Sequence, residues 1–124
     1  MPTLMIVDDS NIIRNRIERS IQGLDIQVVA TASDGAKAVE MFKEHKPDLV
    51  TMDLTMPNLD GLECIKQIRA LSQNTSILVV SALSDRQTGL RALQYGARGF
   101  ICKPFTDEQL VIALNKLISH QQKR

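Results

Sequence analysis

The chain has 124 residues, of which 44% are hydrophobic and 23% charged, and its formal net charge at pH 7 is +1. These values fit one globular domain over residues 1–124 and give no indication of a nucleic-acid partner. No apolar run approaches the roughly 18 residues of a membrane span, and the start lacks the pattern of a signal peptide, so no membrane association is expected. Cys64 and Cys102 form no close-spaced motif, which favours reduced, small hydrophobic cysteines in a cytoplasmic protein.

Short apolar runs alternate with segments of helical periodicity five times along the chain. Strands are predicted near residues 3–7, 26–32, 48–53, 76–81 and 99–102. The first two helices are predicted over about residues 10–22 and 35–45. Three further helices should begin at Asp60, Ser84 and Thr106, each followed three residues later by Glu or Gln, as in a capping box. The fourth helix carries an apolar stripe of Leu90, Leu93 and Ala97.

Strict alternation of strands and helices predicts an α/β fold in which helices cover both faces of a parallel sheet. In such folds the functional crevice lies beyond the carboxyl ends of the strands. Asp8 and Asp9 follow the first strand, and Asp53 ends the third. Ser81 ends the fourth strand, and Lys103 follows the fifth. We therefore expect three carboxylates, a hydroxyl and an ammonium to meet at one edge of the sheet.

The three acids have both structural and chemical interpretations. Asp8 or Asp9 could cap the following helix, and Asp53 could cap a turn before Met56-Pro57. Three clustered carboxylates would repel one another, however, unless a cation lies between them. Oxygen ligands without a nearby His or Cys suit a hard ion, and Mg²⁺ is the expected one. Asp53 could then attack phosphorus and form an acyl phosphate.

Lys103 and Ser81 would complete a site for phosphoryl transfer. Most lysines are solvated, but an ammonium at this strand end could reach a phosphoryl oxygen, and the Ser81 hydroxyl could donate to another. Other phosphate sites and hydrolase motifs are excluded, because the chain has no G-x-x-x-x-G-K-[ST], G-x-G-x-x-G or G-x-S-x-G sequence. His45 and His120 lie in polar surroundings and are interpreted as solvent-facing.

Five short motifs occur in a fixed order along the chain: Val7-Asp8-Asp9-Ser10, Met52-Asp53-Leu54-Thr55-Met56-Pro57, Asp60-Gly61, Ser81-Ala82 and Lys103-Pro104-Phe105. Together they resemble the receiver domain of two-component response regulators, with single-domain chemotaxis-type receivers as the nearest form. The resemblance covers the whole chain. It implies a flavodoxin-like (βα)5 three-layer sandwich with the strand order 2-1-3-4-5, and a cis Lys103-Pro104 bond.

The resemblance also implies a chemical role for each acid. Asp53 would accept a phosphoryl group from a phosphohistidine on a sensor histidine kinase. Asp8, Asp9, Asp53 and the backbone carbonyl of Thr55 would hold Mg²⁺, while Lys103 would pair with Asp53 and then with the phosphoryl group. The protein would then be a phosphoacceptor that assists its own phosphorylation and dephosphorylation, rather than an enzyme with separate substrates.

Two further positions would form the switch that responds to phosphorylation. Ser81 would move toward the phosphoryl oxygens, and Phe100 would swing inward into the space released. Threonine is more usual at the first position and tyrosine is frequent at the second, so recognition through a phenol hydroxyl is excluded. Leu83, which with Thr55 flanks the site, offers no group to orient water, and we expect slow self-dephosphorylation.

The resemblance implies a stand-alone switch in two-component signal transduction, with chemotaxis as one candidate pathway. The chain ends about one helix after Lys103, so we expect a downstream target protein to dock on the fourth helix, last strand and last helix. Val111 and Ile112 in the last helix fit either a broad core face or a docking or dimer surface, in a monomer or a weak phosphorylation-dependent dimer. A phosphorelay intermediate and a receiver-like module that is never phosphorylated are alternatives. A dehalogenase-type phosphatase would need a second acid where Thr55 stands.

Overall fold

Strands and helices alternate strictly in the computed structural model, which describes residues 1–56, 58–82 and 86–122, except for the side chain of Gln122. The strands are β1 (Thr3–Val7), β2 (Gln27–Ala32), β3 (Leu49–Met52), β4 (Ser76–Ser81) and β5 (Gly99–Cys102). The helices are α1 (Asn11–Ser20), α2 (Gly35–His45), α3 (Gly61–Leu71), α4 (Arg86–Tyr95) and α5 (Asp107–Gln122). All five predicted strands are present, each within one residue of its predicted bounds.

The five strands form one parallel sheet in the order β2-β1-β3-β4-β5, which confirms the flavodoxin-like topology. In this register Val7 lies beside Ala32 on one side and Met52 on the other. The backbone pairing continues one residue past the strand ends, because Asp8 N–H donates to the Ala32 carbonyl at 3.0 Å and Asp53 N–H to the Val7 carbonyl at 2.9 Å. The two acids therefore start from neighbouring, fixed positions at one edge.

Helices cover both faces of the sheet. Successive side chains of a strand point to opposite faces, so Met5 and Val7 join one apolar layer while Leu4 and Ile6 join the other. Buried residues of α2, α3 and α4 fill the first layer, and buried residues of α1 and α5 fill the second. The packing of this three-layer sandwich fixes the carboxyl ends of β1, β3 and β4. The polar residues at these ends lie at the edge of the sheet.

The two predicted helix caps that fall on described residues are both confirmed. Asp60 caps α3 by accepting from the Glu63 N–H at 3.0 Å. Thr106 and Gln109 form a reciprocal capping box at α5, with bonds of 3.0 and 2.9 Å. The third predicted cap, Ser84, lies outside the described residues. Helix α1 ends at Ser20, two residues before its predicted end. After Ser20, backbone N–H groups bond to the carbonyl three residues earlier, as in a tight turn, instead of four residues earlier as in an α-helix.

Of the three apolar residues assigned to the fourth helix, only Ala97 is buried. Leu90 and Leu93 are 52% and 48% exposed, whereas Ala92 is fully buried. The helix faces the sheet with Gly89 and Ala92, and a Cβ on Gly89 would lie 3.8 Å from the ring of Phe100. The two leucines lie about 100° further round the helix than these small residues. Small residues thus let α4 approach the edge of the sheet, and the leucines remain outside.

The cysteines and histidines do not form a further site among the described residues. Both cysteines are free thiols. Cys64 is buried, and burial raises the pKa of its thiol to about 12. Cys102 is exposed at the end of the edge strand β5, so only Cys64 packs as a small hydrophobic residue in the core, although both thiols are free as expected. His45 and His120 are exposed, as expected. None of the helices described is both long and apolar enough to cross a membrane.

Candidate functional site

The structure brings the three predicted acids together at the carboxyl edge of the sheet. Asp8 follows β1 and Asp53 follows β3, and their side chains are only 1% and 2% exposed. Asp9 is exposed beside them. One carboxylate oxygen from each of the three residues lies within 4.8 Å of the other two. The cluster is thus open on the Asp9 side and closed on the other two.

Lys103 reaches into this cluster from the end of β5. Its Nζ lies 2.8 Å from Asp8 Oδ2 and 3.7 Å from Asp53 Oδ1. The backbone N–H of Lys103 donates to the Ser81 carbonyl at 2.9 Å, and the Lys103-Pro104 peptide bond is cis. The resemblance implied a pair with Asp53, but the closer partner in this structure is Asp8.

The loop between β1 and α1 holds Asp8 in one orientation. Asp8 Oδ1 accepts a hydrogen bond from the Ser10 N–H at 2.9 Å, which leaves Oδ2 for Lys103. Ser10 caps α1 by accepting from the Ile13 N–H at 3.3 Å, so neither Asp8 nor Asp9 is needed as the helix cap. The helix-capping interpretation of these two acids is therefore wrong.

Sequence reasoning missed the contribution of Arg14 to this loop. Arg14 Nη1 donates to the backbone carbonyl of Asp8 at 2.6 Å, and Nη2 donates to Asn11 Oδ1 at 2.8 Å. The signal was available, because residues three and four apart on a helix are neighbours and a long side chain can reach back past the helix start. Arg14 fixes the main chain that carries the acids without contacting their carboxylates.

Burial makes Asp53 an unusual carboxyl group. Its pKa is raised from 3.8 to about 6, mainly by burial and then by the negative charge of Asp8. Lys103 and a hydrogen bond from the Thr55 N–H lower the pKa, and Asp9 adds a smaller increase. That hydrogen bond is long, at 3.4 Å to Oδ1. The positive charge provided by the protein therefore compensates the buried carboxylates only in part.

The donor set fits Mg²⁺. All three side chains offer carboxylate oxygens, the ligands preferred by a hard divalent ion, and their oxygens are already close together. Three carboxylates and the single ammonium of Lys103 leave two negative charges uncompensated among these four side chains. The structure places Thr55 next to Asp53, but the role of its backbone carbonyl as a ligand stays a prediction.

The first turn of α3 packs directly against the backbone of Asp53. The Gly61 N–H donates to the Leu54 carbonyl at 3.0 Å. A Cβ at Gly61 would clash with the Asp53 carbonyl oxygen and would lie 2.6 Å from Leu54 Cα. The Asp60-Gly61 motif therefore has a structural cause: Asp60 caps the helix, and Gly61 allows the close approach.

The two predicted switch residues lie on neighbouring strands beside this edge. Ser81 is fully buried at the end of β4, where it pairs with Cys102 of β5. Phe100 pairs with Val79 and packs, partly buried, against the layer that contains α4. Their movement on phosphorylation stays a prediction. Leu83, on which the expectation of slow dephosphorylation depends, lies outside the described residues, as does Pro57.

Comparison with known sequences gives a match over most of the chain. Residues 4–115 match the model of the response regulator receiver domain. The chain is 40% identical over 116 residues to the chemotaxis protein CheY of Bacillus subtilis (strain 168), covering 94% of this chain and 97% of that protein. It is also 40% identical over 114 residues to CheY of Thermotoga maritima, with coverage of 92% and 95%.

Solved structures show the same fold. The response regulator domain of Thermotoga maritima CheB is 34% identical with a TM-score of 0.88, covering 98% of this chain and 97% of that chain. A chain of the CheX-CheY-BeF3-Mg²⁺ complex from Borrelia burgdorferi is 30% identical with a TM-score of 0.90, covering 94% and 88%. A CheY-like receiver from Methanospirillum hungatei JF-1 is 19% identical with a TM-score of 0.93 over 99% and 98%, which supports the fold alone.

Proposed function

The chain belongs to the response regulator receiver domain family of two-component signalling, and we propose that it is a phosphorylation switch in which Asp53 accepts the phosphoryl group. The observation that carries the proposal is the buried Asp53 carboxylate beside Asp8, Asp9 and the Lys103 ammonium. Residues 1–124 would act as one receiver domain. The cytoplasmic location expected from the sequence stays a prediction.

The phosphoryl group would come from a phosphohistidine of a sensor histidine kinase. An Asp53 carboxylate oxygen forms the new O–P bond while the P–N bond to the imidazole breaks, and the departing imidazole takes up a proton. Since the pKa of Asp53 is about 6, the side chain is mostly ionised at neutral pH and can act as the nucleophile. Mg²⁺ bound by Asp8, Asp9, Asp53 and the Thr55 carbonyl would supply charge neutralisation for the two anionic reactants.

Lys103 and Ser81 would stabilise the phosphorylated form. The Lys103 ammonium is already 3.7 Å from Asp53 Oδ1, within reach of an oxygen on a phosphoryl group attached there. Such a charge-assisted contact is stronger than a neutral hydrogen bond. Ser81 contributes a short hydroxyl from the neighbouring strand end, and its movement would allow Phe100 to turn inward. Phosphorylation would in this way shift a population that exists before modification.

The output would be a change in the surface formed by α4, β5 and α5. This surface exposes Leu90, Leu93 and Ile112, and a groove of about 630 Å³ lies between β5 and α5. An apolar groove beside helices that expose large apolar side chains is typical of a protein docking site. We propose a downstream protein as the target, with the chain a monomer or a weak phosphorylation-dependent dimer. A CheY relative forms a complex with CheX, which is a precedent for docking on another protein.

A phosphatase of the aspartyl-phosphate class has less support. Such an enzyme would need a second acid two residues after the nucleophile, and the chain has Thr55 there. A phosphorelay intermediate would share the chemistry of Asp53 and differ only in passing the group to another histidine. A module that is never phosphorylated would have no need for a buried nucleophile beside a lysine.

Intact mass after incubation with a small phosphodonor and Mg²⁺ tests the proposal. The wild-type chain should gain one phosphoryl group, the gain should require Mg²⁺, and Asp53→Asn should abolish it. Asp25→Asn is the matched control, because Asp25 is exposed and precedes β2 at the opposite end of the sheet. A wild-type chain that gains no mass contradicts the proposal and favours the unmodified module. Continuous release of phosphate from a generic ester would favour the phosphatase.

A further inference from the structure

One arginine of α1 joins that helix to the segment that follows Lys103. Arg16 Nη2 donates to the Phe105 carbonyl at 2.7 Å, and its guanidinium carbon lies 5.0 Å from the centroid of the Phe105 ring. Arg16 Nε lies 3.7 Å from Asp107 Oδ1, and Ser20 Oγ donates to the same oxygen at 2.7 Å. We call these four residues, Arg16, Ser20, Phe105 and Asp107, the α1 clamp.

The main chain around Lys103 is fixed by contacts on both sides, and the α1 clamp provides one of them. On one side, the Lys103 N–H is bonded to the Ser81 carbonyl of β4. On the other side, Phe105 is buried two residues later, with its carbonyl and its ring both in contact with Arg16. The Lys103 side chain leaves this anchored backbone and crosses to Asp8.

Helix α1 is therefore connected by hydrogen bonds to the chain beside both Asp8 and Lys103. The helix begins three residues after Asp8, and Ser10 and Arg14 fix the loop between them. Further along the same helix, Arg16 fixes the segment that follows Lys103. Arg16 thus connects α1 to the backbone segment that follows Lys103, and its side chain contacts Phe105 and Asp107 among the described residues.

The chemistry of arginine suits this task better than that of lysine. The ion pair with Asp107 is exposed and contributes little by itself. The planar guanidinium can, however, stack on the Phe105 ring and bond the Phe105 carbonyl at the same time, which sets an orientation as well as a distance. A lysine at this position would keep the charge near Asp107 and lose that orientation.

We infer that Arg16 is a positioning residue for Lys103, acting through the α1 clamp to hold the ammonium at the acids before the phosphoryl group arrives. The inference rests on the proposed phosphorylation of Asp53 and goes beyond it, since none of the five family motifs includes Arg16. If the inference is correct, removing Arg16 should displace the Lys103 ammonium and slow phosphorylation, while the three carboxylates stay in place.

A double-mutant cycle on the phosphorylation rate tests the coupling. The rate with acetyl phosphate and Mg²⁺ is measured for wild type, Arg16→Gln, Lys103→Met and the double variant; a small donor excludes effects on kinase docking. Arg16→Gln should slow the reaction severalfold, Arg16→Lys should fall between, and Arg16→Gln should have no further effect when Lys103 is already methionine. A wild-type rate in Arg16→Gln, or equal factors in both backgrounds, would overturn the inference.

Arg19→Gln is the matched control in α1. Arg19 has the same charge, and its side chain forms no hydrogen bond or ion pair with any residue of the described part of the chain. This variant should be phosphorylated at the wild-type rate. A rate as low as that of Arg16→Gln would assign the effect to the charge of the helix and not to the α1 clamp, and would also overturn the inference.

A second measurement does not depend on phosphorylation. Lysines of the folded, Mg²⁺-free protein are labelled with a limiting amount of an acylating reagent, and the extent at each lysine is read by peptide mass spectrometry. Labelling of Lys103 should rise severalfold in Arg16→Gln, with exposed Lys43 unchanged. An unchanged Lys103, or an equal rise at all lysines, would overturn the positioning role. Failure of the wild-type chain to accept a phosphoryl group would contradict the proposed function, whereas the labelling would still decide the role of Arg16.

Discussion

The ammonium of Lys103 lies 2.8 Å from Asp8 Oδ2 but 3.7 Å from Asp53 Oδ1, so the lysine pairs more closely with the acid that follows β1 than with the proposed phosphoacceptor. The pair offsets the cost of burying Asp8, since a buried charge needs a partner. If Asp8 binds Mg²⁺ as proposed, Lys103 and the ion compete for the Asp8 carboxylate. In the proposed mechanism, phosphorylation of Asp53 would draw the ammonium from Asp8 toward the new phosphoryl oxygens.

Replacing Lys103 should separate metal binding from phosphoryl transfer. In Lys103→Met the competing positive charge is lost, and Mg²⁺ should bind as tightly as in wild type or severalfold more tightly, as measured by calorimetry. Phosphorylation by a small donor should slow by about 10²-fold, the typical effect of losing one group that stabilises developing charge. Lys43→Met, an exposed lysine of α2, should change neither quantity. Weaker Mg²⁺ binding in Lys103→Met would contradict the competition.

The raised pKa of Asp53 predicts a pH dependence of phosphorylation. Below a pH of about 6 the Asp53 side chain takes up a proton, and both the proposed nucleophile and one proposed metal ligand are lost. The rate should therefore fall about tenfold for each unit of pH below that value. Saturating Mg²⁺ favours the ionised form and should move the midpoint to lower pH. Rates measured at low and at saturating Mg²⁺ test both predictions. At low Mg²⁺, a rate that is constant between pH 7 and pH 5 would contradict the first prediction, and an unchanged midpoint at saturating Mg²⁺ would contradict the second.

The raised pKa of Asp53 also predicts that, when no Mg²⁺ is bound, the ionised Asp53 side chain lowers the stability of the folded protein. The pKa of Asp53 is about 6 in the folded state against a reference of 3.8, so the folded state binds the proton more tightly. The resulting stabilisation is present below pH 3.8 and is lost as the pH rises through 6. At pH 7.5 the ionised, buried side chain lowers the free energy of unfolding by up to about 3 kcal/mol.

Chemical denaturation in a chelating buffer checks this sign. Asp53→Asn should be more stable than wild type at pH 7.5, and the difference should disappear near pH 4, where Asp53 is protonated. Adding Mg²⁺ should stabilise wild type by mass action and narrow the gap at pH 7.5. Asp25→Asn provides the control for loss of an exposed carboxylate. An Asp53→Asn variant that is less stable than wild type at pH 7.5 would refute the prediction.

A pair of glycine substitutions tests the packing that places Asp53. In Gly61→Ala the new methyl group meets the backbone of Asp53 and Leu54, which cannot move aside as a flexible side chain would. We expect a loss of about 1–3 kcal/mol in the free energy of unfolding, with slower phosphorylation because Asp53 is displaced. Gly23→Ala meets no atom within 4 Å and should be neutral or slightly stabilising. Equal effects of the two substitutions would contradict this account of the Asp60-Gly61 motif.

The sheet and the acidic cluster could be predicted from the sequence because both depend on local signals and one general rule. Short apolar runs located the strands to within one residue, and strand ends of a parallel sheet share an edge. Asp8 and Asp53 therefore had to meet once the alternation of strands and helices was recognised. The strand order itself came from the resemblance, since alternation alone does not choose among the possible orders of five parallel strands.

Other features depend on contacts that no local pattern contains. The stripe of Leu90 and Leu93 correctly indicated a helix, but burial was decided by the smaller neighbours Gly89 and Ala92, which let α4 approach the sheet edge. The bond between Arg16 and Phe105 joins residues 89 positions apart. The preference of Lys103 for Asp8 over Asp53 depends on about one ångström, which only the packed structure sets.

The identity of the phosphoacceptor is tested most directly by reducing the acyl phosphate with borohydride and sequencing the peptides by mass spectrometry. Reduction converts a phosphorylated aspartate into homoserine and leaves unmodified carboxylates unchanged. We predict homoserine at position 53 alone, only when both the phosphodonor and Mg²⁺ were present. Homoserine at Asp8 or Asp9, or a phosphoryl group that survives reduction on a hydroxyl or imidazole, would contradict the assignment of Asp53.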